Sequence, residues 1–117
     1  MISKDHAKHY IWGSGCDGWH LVKQDTVSII QERMPPGTAE VRHYHQNAWQ
    51  FFFVLSGTAT LEVAGKRETL QAQQGMEVPA RVPHQMRNES ASDIDFIVIS
   101  QPPSHGDRML AEENLPI

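Results

Sequence analysis

His43-Tyr44-His45-Gln46-Asn47-Ala48-Trp49-Gln50-Phe51-Phe52-Phe53-Val54-Leu55-Ser56-Gly57 is the stretch that decides how this chain is read. Its second half is an unbroken apolar run closed by Ser56-Gly57, residues that accept turn dihedrals, so 50–55 reads as a strand. Side chains alternate between the two faces of a strand, which puts Gln50, Phe52 and Val54 on one face and Phe51, Phe53 and Leu55 on the other. His43 and His45 are two apart on the preceding strand and project from a common face, where both rings can approach one ion. A strand apolar on both faces needs cover on both. A second sheet or the N-terminal segment could supply the outer cover, and a second copy of the chain could do so too; a homodimer is the expectation.

Outward from that stretch, the chain continues as short apolar or alternating runs separated by turn residues. Strands are expected at 19–22, 26–34, 40–45, 50–55, 58–64, 66–71, 76–78, 82–87 and 94–100. Lys23-Gln-Asp, Pro35-Pro-Gly, Ala64-Gly, Gln73-Gln-Gly and Glu89-Ser-Ala-Ser-Asp punctuate them. No long helix is expected, and the pattern is that of an all-β sandwich or barrel. The 117 residues suit a single domain, 1–117, with a core of about 26–100. Pro102-Pro103 ends the last strand because neither ring can donate to a ladder. Residues 101–117 are expected to form a C-terminal tail, or a short helix laid on the barrel.

Composition excludes several classes. The formal charge of −4 comes from dispersed acids, and no basic run offers a phosphate track, so nucleic acid is not an expected partner. No apolar stretch approaches the length that crosses a bilayer, and the first residues lack the apolar run of a signal peptide. A cytoplasmic protein that meets a small-molecule ligand, with no membrane partner, is the expectation. Cys16, the lone cysteine, permits no intrachain disulfide and is expected to be a packed thiol in a loop.

His84 lies on a later strand, beyond Pro83, so that His43, His45, Gln50 and His84 can converge inside a closed barrel. A His-x-His pair alone equally describes two partly exposed imidazoles; its surroundings distinguish the two. Gly37, five residues, His43-Tyr44-His45, four residues, Gln50, six residues and Gly57 closely resemble the first motif of the cupin superfamily. Gly75, Pro79, His84 and Asn88 resemble the second, with four residues between Pro79 and His84 and three more before Asn88. The resemblance is to a small single-domain cupin of the conserved-barrel type. It implies a double-stranded β-helix, or jelly-roll barrel, and one divalent metal ion, Zn, Ni, Mn or Fe, held by His43, His45, Gln50 and His84.

Three departures bear on function. The usual acidic third ligand is Gln50, the glycine expected two after Pro79 is Arg81, and the loop from Gly75 to Pro79 is two residues shorter than the commonest form. Cupins that isomerise sugar acids in pectin degradation, and some polyketide cyclases, keep a metal with glutamine in this position. An amide oxygen is a neutral, weaker ligand than a carboxylate, so three imidazoles and an amide leave the ion's double charge uncompensated. Such an ion is a stronger Lewis acid, favours anionic ligands and resists oxidation. That tilts the expected chemistry toward isomerisation, cyclisation or lyase action on a sugar acid, keto acid or similar small molecule, and away from oxygenase chemistry.

Strand parity from His84 adds Val82, Met86 and Asn88 to Phe52 as expected pocket residues, Met86 equally as barrel filling, with Arg81 either the arginine best placed to meet a carboxylate or a solvated turn residue. Arg33 and Arg87 are alternatives. No catalytic acid or base declares itself: Glu40 and His105 are unplaced, and parity turns Tyr44 away from the interior. The polar string Ser104-His105-Gly106-Asp107-Arg108 could close over the opening or offer a second anion site, with simple surface packing the plainer expectation. His6, His9 and His20 have no partner at ligand spacing. Three readings stay open: a metal-dependent enzyme, a non-catalytic ligand-binding or sensor barrel, and a structural homodimer with a decayed site.

Overall fold

The computed structural model describes residues 1–104 and 106–112, and among them every regular element is a strand. In chain order these are β1 Lys8–Trp12, β2 Cys16–Lys23, β3 Ser28–Met34, β4 His43–His45, β5 Trp49–Ser56 and β6 Ala59–Val63. They continue as β7 Lys66–Leu70, β8 Gly75–Val78, β9 His84–Arg87, β10 Ile94–Gln101 and β11 Arg108–Leu110. Two antiparallel sheets result, a six-stranded one in the order β1-β2-β3-β10-β5-β8 and a five-stranded one in the order β11-β4-β9-β6-β7. The fold is an all-β jelly roll.

Alternation in the sequence becomes the inside and outside of this barrel. On β5 the inner residues Gln50, Phe52 and Val54 are buried, and on β10 so are Ile94, Phe96, Val98 and Ser100. These interleave with Met34, Leu61 and Met86 in one core. Each large side chain withdrawn from water there contributes about 1.5–3 kcal/mol. The outer residues of β5 are only half-buried, and Trp49, Phe51 and Phe53 stack along the strand with ring centroids 6.5 and 6.2 Å apart. The Phe51 ring lies across Gly75 on the edge strand β8, where a Cβ would come within 2.6 Å of it.

Several boundaries depart from the sequence expectation. Cys16 is fully buried as the first residue of a strand, not in a loop, because the β1–β2 hairpin carries it into the sheet. β1 itself was not anticipated: its exposed edge position leaves little apolar alternation to read. The expected strand 40–45 shortens to His43–His45, because the Glu40 carboxylate accepts the Met86 N–H at 2.9 Å and so occupies a ladder position normally filled by backbone. The tail forms β11 against β4, pairing Arg108 with His45 and Leu110 with His43.

Candidate metal centre and its cavity

His43 and His45 on β4 and His84 on β9 reach the same interior point because β4 and β9 are neighbours and His43 pairs directly with His84. Their ring centroids lie 4.5–5.7 Å apart, and one nitrogen from each falls within 4.8 Å of the others. His43 Nδ1 donates to the Val41 carbonyl at 2.7 Å and His84 Nδ1 to the Val82 carbonyl at 3.0 Å. A carbonyl only accepts, so each bond fixes the tautomer and leaves the Nε2 lone pair free. Burial lowers all three imidazole pKa values; His45 falls to about 4, with burial as the larger cause and neighbouring His43 adding to it. At neutral pH the rings are therefore uncharged, which is the form that binds metal.

His84 Nε2 and Gln50 Oε1 are buried without a hydrogen-bond partner among the described residues. Leaving such atoms unpaired costs about 1–3 kcal/mol each. The Gln50 amide is oriented by its own Nε2, which donates to Ser100 Oγ at 3.0 Å from the adjacent strand. Three imidazoles with ligand atoms within 4.8 Å of one another, and an amide oxygen left unpaired, fit a divalent cation, and the three histidines could hold one.

His43, His45 and Gln50 line a cavity of about 440 Å³. Phe52, Ile30 and Val98 line it from the six-stranded sheet, and Trp12 joins them from β1. Of the other residues expected there, none lines this cavity, for reasons visible in each case. Met86 is fully buried within the core, and Val82 packs against the same cluster. Asn88 spends its amide on structure: Nδ2 donates to the Met34 and Ser92 carbonyls, and Oδ1 accepts from Ser90. Arg81 is exposed, with its guanidinium directed to the Gln46 carbonyl. Its backbone has the left-handed φ of 68° that a glycine would adopt freely, and its N–H donates to the His45 carbonyl at 2.6 Å. For a non-glycine residue that conformation costs on the order of 1–3 kcal/mol.

Nor are Arg33 and Arg87 placed to meet a carboxylate in the cavity. Arg33 bridges Asp17 and Asp93, and Arg87 donates to Gln85. The arginine at the mouth is Arg108 on β11, accompanied there by Ser104 and Gly106. It is held in place by Asp107, whose carboxylate accepts the N–H groups of Gln46, Asn47 and Ala48 at 3.1, 2.9 and 2.9 Å. Those amides belong to the loop between His45 and Gln50, so one carboxylate fixes both the ligand loop and the tail. His105 lies outside the described residues.

Two carboxyl groups also line the cavity. Glu40, unplaced by the sequence, is raised by burial, an effect that nearby His84 opposes. Glu32 on β3 was not anticipated at all. Burial, with the nearby Glu40 charge adding to it, pushes its pKa up to about 8. The available signal was its parity with buried Ser28 and Met34.

The structure is a jelly-roll barrel with three histidines gathered inside it that could hold a metal ion. The chain belongs to the cupin family: the family described as Cupin domain (Cupin_2) matches residues 30–100. Among curated proteins, no match was found. Among solved structures it is similar to protein TT1209 of Thermus thermophilus, at 25% identity and a TM-score of 0.70 over 73% of this chain and 81% of that one. A sugar phosphate isomerase of the cupin superfamily from Silicibacter pomeroyi matches at 20% identity and a TM-score of 0.79, covering 88% of this chain and 76% of the other. The polyketide cyclase RemF of Streptomyces resistomycificus matches at 16% identity and a TM-score of 0.81, over 97% and 88%. Identities this low speak for the fold. No helix among the described residues is long and apolar enough to cross a membrane.

Proposed function

We infer that this cupin holds one divalent metal ion per chain with His43, His45, His84 and Gln50, and acts on a small anionic molecule by isomerisation, cyclisation or lyase chemistry. The observation that carries this reading is the convergence of His43, His45 and His84, whose ligand atoms lie within 4.8 Å of one another, together with the unpaired buried atoms His84 Nε2 and Gln50 Oε1. When bound, the ion would supply Lewis acidity toward a substrate oxygen. The chain's own residues do the rest. Phe52, Ile30 and Val98 exclude water, Ser100 fixes the face that Gln50 presents, and Arg108 offers a guanidinium to a carboxylate at the mouth. The Silicibacter isomerase and the Streptomyces cyclase are, by their names, enzymes without a redox step, which agrees with an all-neutral ligand set.

Gln50→Glu tests the assignment, since it adds a charged ligand and cancels about one unit of the ion's charge. Metal should be retained more tightly against a chelator, while the affinity of the metal-loaded protein for a simple carboxylate should fall. If neither quantity changes, Gln50 does not touch the ion.

A further inference from the structure

Tyr10, Gly18 and Glu32 stand in one row across three adjacent strands, since Tyr10 pairs with Gly18 and Gly18 with Glu32. Gly18 is buried, and a Cβ there would come within 2.3 Å of the Tyr10 ring, so the ring lies flat across the position where any other residue would carry a side chain. Through that gap the Tyr10 hydroxyl reaches Glu32 Oε1 at 3.4 Å. Both residues line the metal-site cavity. Glu32 comes from the six-stranded sheet and the histidines from the five-stranded one, so a molecule in the cavity lies between them.

We propose that Glu32 is the proton-carrying residue of this site and Tyr10 its positioning residue, and that the molecule they serve is a small carboxylate with an acidic C–H beside a carbonyl group. This rests on the reading that the cavity takes a small anionic molecule. Arg108 meets the carboxylate and Glu32 meets the carbon. Ionised Glu32 takes the proton from that carbon; the C–H electron pair enters the carbonyl system as an enolate. The same carboxyl then returns the proton to the carbon end of that enolate, so that a new C–H bond forms as the carbonyl is restored. No oxidant or second substrate is consumed. A carboxyl held near pKa 8 by burial both gives and accepts a proton close to neutrality, where a surface glutamate would be a weak base only. The titratable and charged groups that share the cavity with it are Tyr10 from β1, Glu40 before β4, His43 and His45 from β4, and Arg108 from β11.

The test is deuterium exchange at C3 of pyruvate, 2-oxobutanoate and 2-oxoglutarate in heavy water, followed by NMR with the metal-loaded protein. Binding of the same acids is measured by calorimetry. Wild type should accelerate exchange of at least one acid over buffer. Glu32→Gln should lose about 100-fold or more of that acceleration with binding unchanged, the lower end of what a positioned acid or base contributes. The Tyr10 hydroxyl stabilises the carboxylate, so Tyr10→Phe should move the midpoint of the pH–exchange profile upward. Carbon-13 NMR of the Glu32 carboxyl should show the same shift, a readout that a packing role would leave alone. Exchange by Glu32→Gln at the wild-type rate overturns the proposal. So does wild-type protein that binds the acids without exchanging them. If the metal-loaded protein binds none of the three, the anionic-ligand reading fails and this proposal fails with it.

Discussion

His43, His45 and His84 come from two neighbouring strands of the five-stranded sheet, whereas Glu32 and Tyr10 sit two strands apart in the six-stranded sheet with Gly18 between them. His43 and His45 of the first group and both residues of the second line the same cavity. The histidine wall is local: two of its members are two residues apart, and two of its rings, His43 and His84, are each aimed by a carbonyl two positions earlier in the chain. The acidic corner is assembled by strand register alone, and a missing side chain at Gly18 is part of its construction. Local geometry can be read from spacing. Geometry that depends on which strands become neighbours cannot.

Because the two regions are built independently, one can be damaged without the other. Gly18→Ala should have the largest effect on the acidic corner, since its methyl group would occupy space now filled by the Tyr10 ring. Displacing that ring should destabilise the fold by about 1–3 kcal/mol, the usual cost of overpacking. Metal content should be unchanged, because no histidine of the metal centre bears on Gly18. Chemical denaturation and elemental analysis on the same sample check both halves, and loss of metal here would mean the two regions are coupled.

The site is legible in the sequence only in part, and the reasons are physical. His43, His45 and His84 carry ligand atoms at spacings that strand parity turns to one side, so their convergence can be anticipated. The same parity argument assigns Val82, Met86 and Asn88 to the pocket. It gives the face of a strand but not how deep in the barrel a position lies: Met86 sits in the packed core, and Asn88 binds backbone beyond the strand end. Arg108 lies in the polar tail string that the sequence singles out, but the string has no strand pattern, so that Arg108 is its cavity arginine follows only from β11 and from Asp107 bound to the loop before Gln50. Arg81 shows the converse. The glycine expected at its position is absent, yet the backbone keeps the left-handed turn that glycine would have served.

A smaller effect separates the two regions by pH. Unfolded Glu32 titrates near the ordinary 4.5 and folded Glu32 near 8, so between these values the folded chain holds a proton that the unfolded chain has released. Stability therefore falls as pH rises through that window and levels off above it. Glu32→Gln removes this slope, and the variant should gain on wild type steadily as pH rises from the lower value to the upper one. A slope from Glu40, raised mainly by burial, remains. Denaturation midpoints measured across the window check the sign; parallel curves for the two proteins would show that Glu32 is not held protonated.

The smallest effect on the cavity is expected from the outer face of the same six-stranded sheet, where Trp49, Phe51 and Phe53 stack and Ile97 and Ile99 pair beside them. This apolar ladder suits a second copy of the chain, and a homodimer at micromolar concentration is the expected state. Phe53→Glu should yield a monomer in sedimentation while its metal content stays at the wild-type level. A wild-type monomer under the same conditions would remove the homodimer from the account.

The central claim is that the histidine wall is a metal centre, and the most direct measurement is the metal content of purified, unchelated protein. Wild type should carry about one divalent ion per chain, because a site of this kind binds through all its neutral imidazoles at once. The triple variant of His43→Ala, His45→Ala and His84→Ala should carry none, whereas Glu32→Gln should match wild type. Equal metal content in wild type and the triple variant would contradict the account.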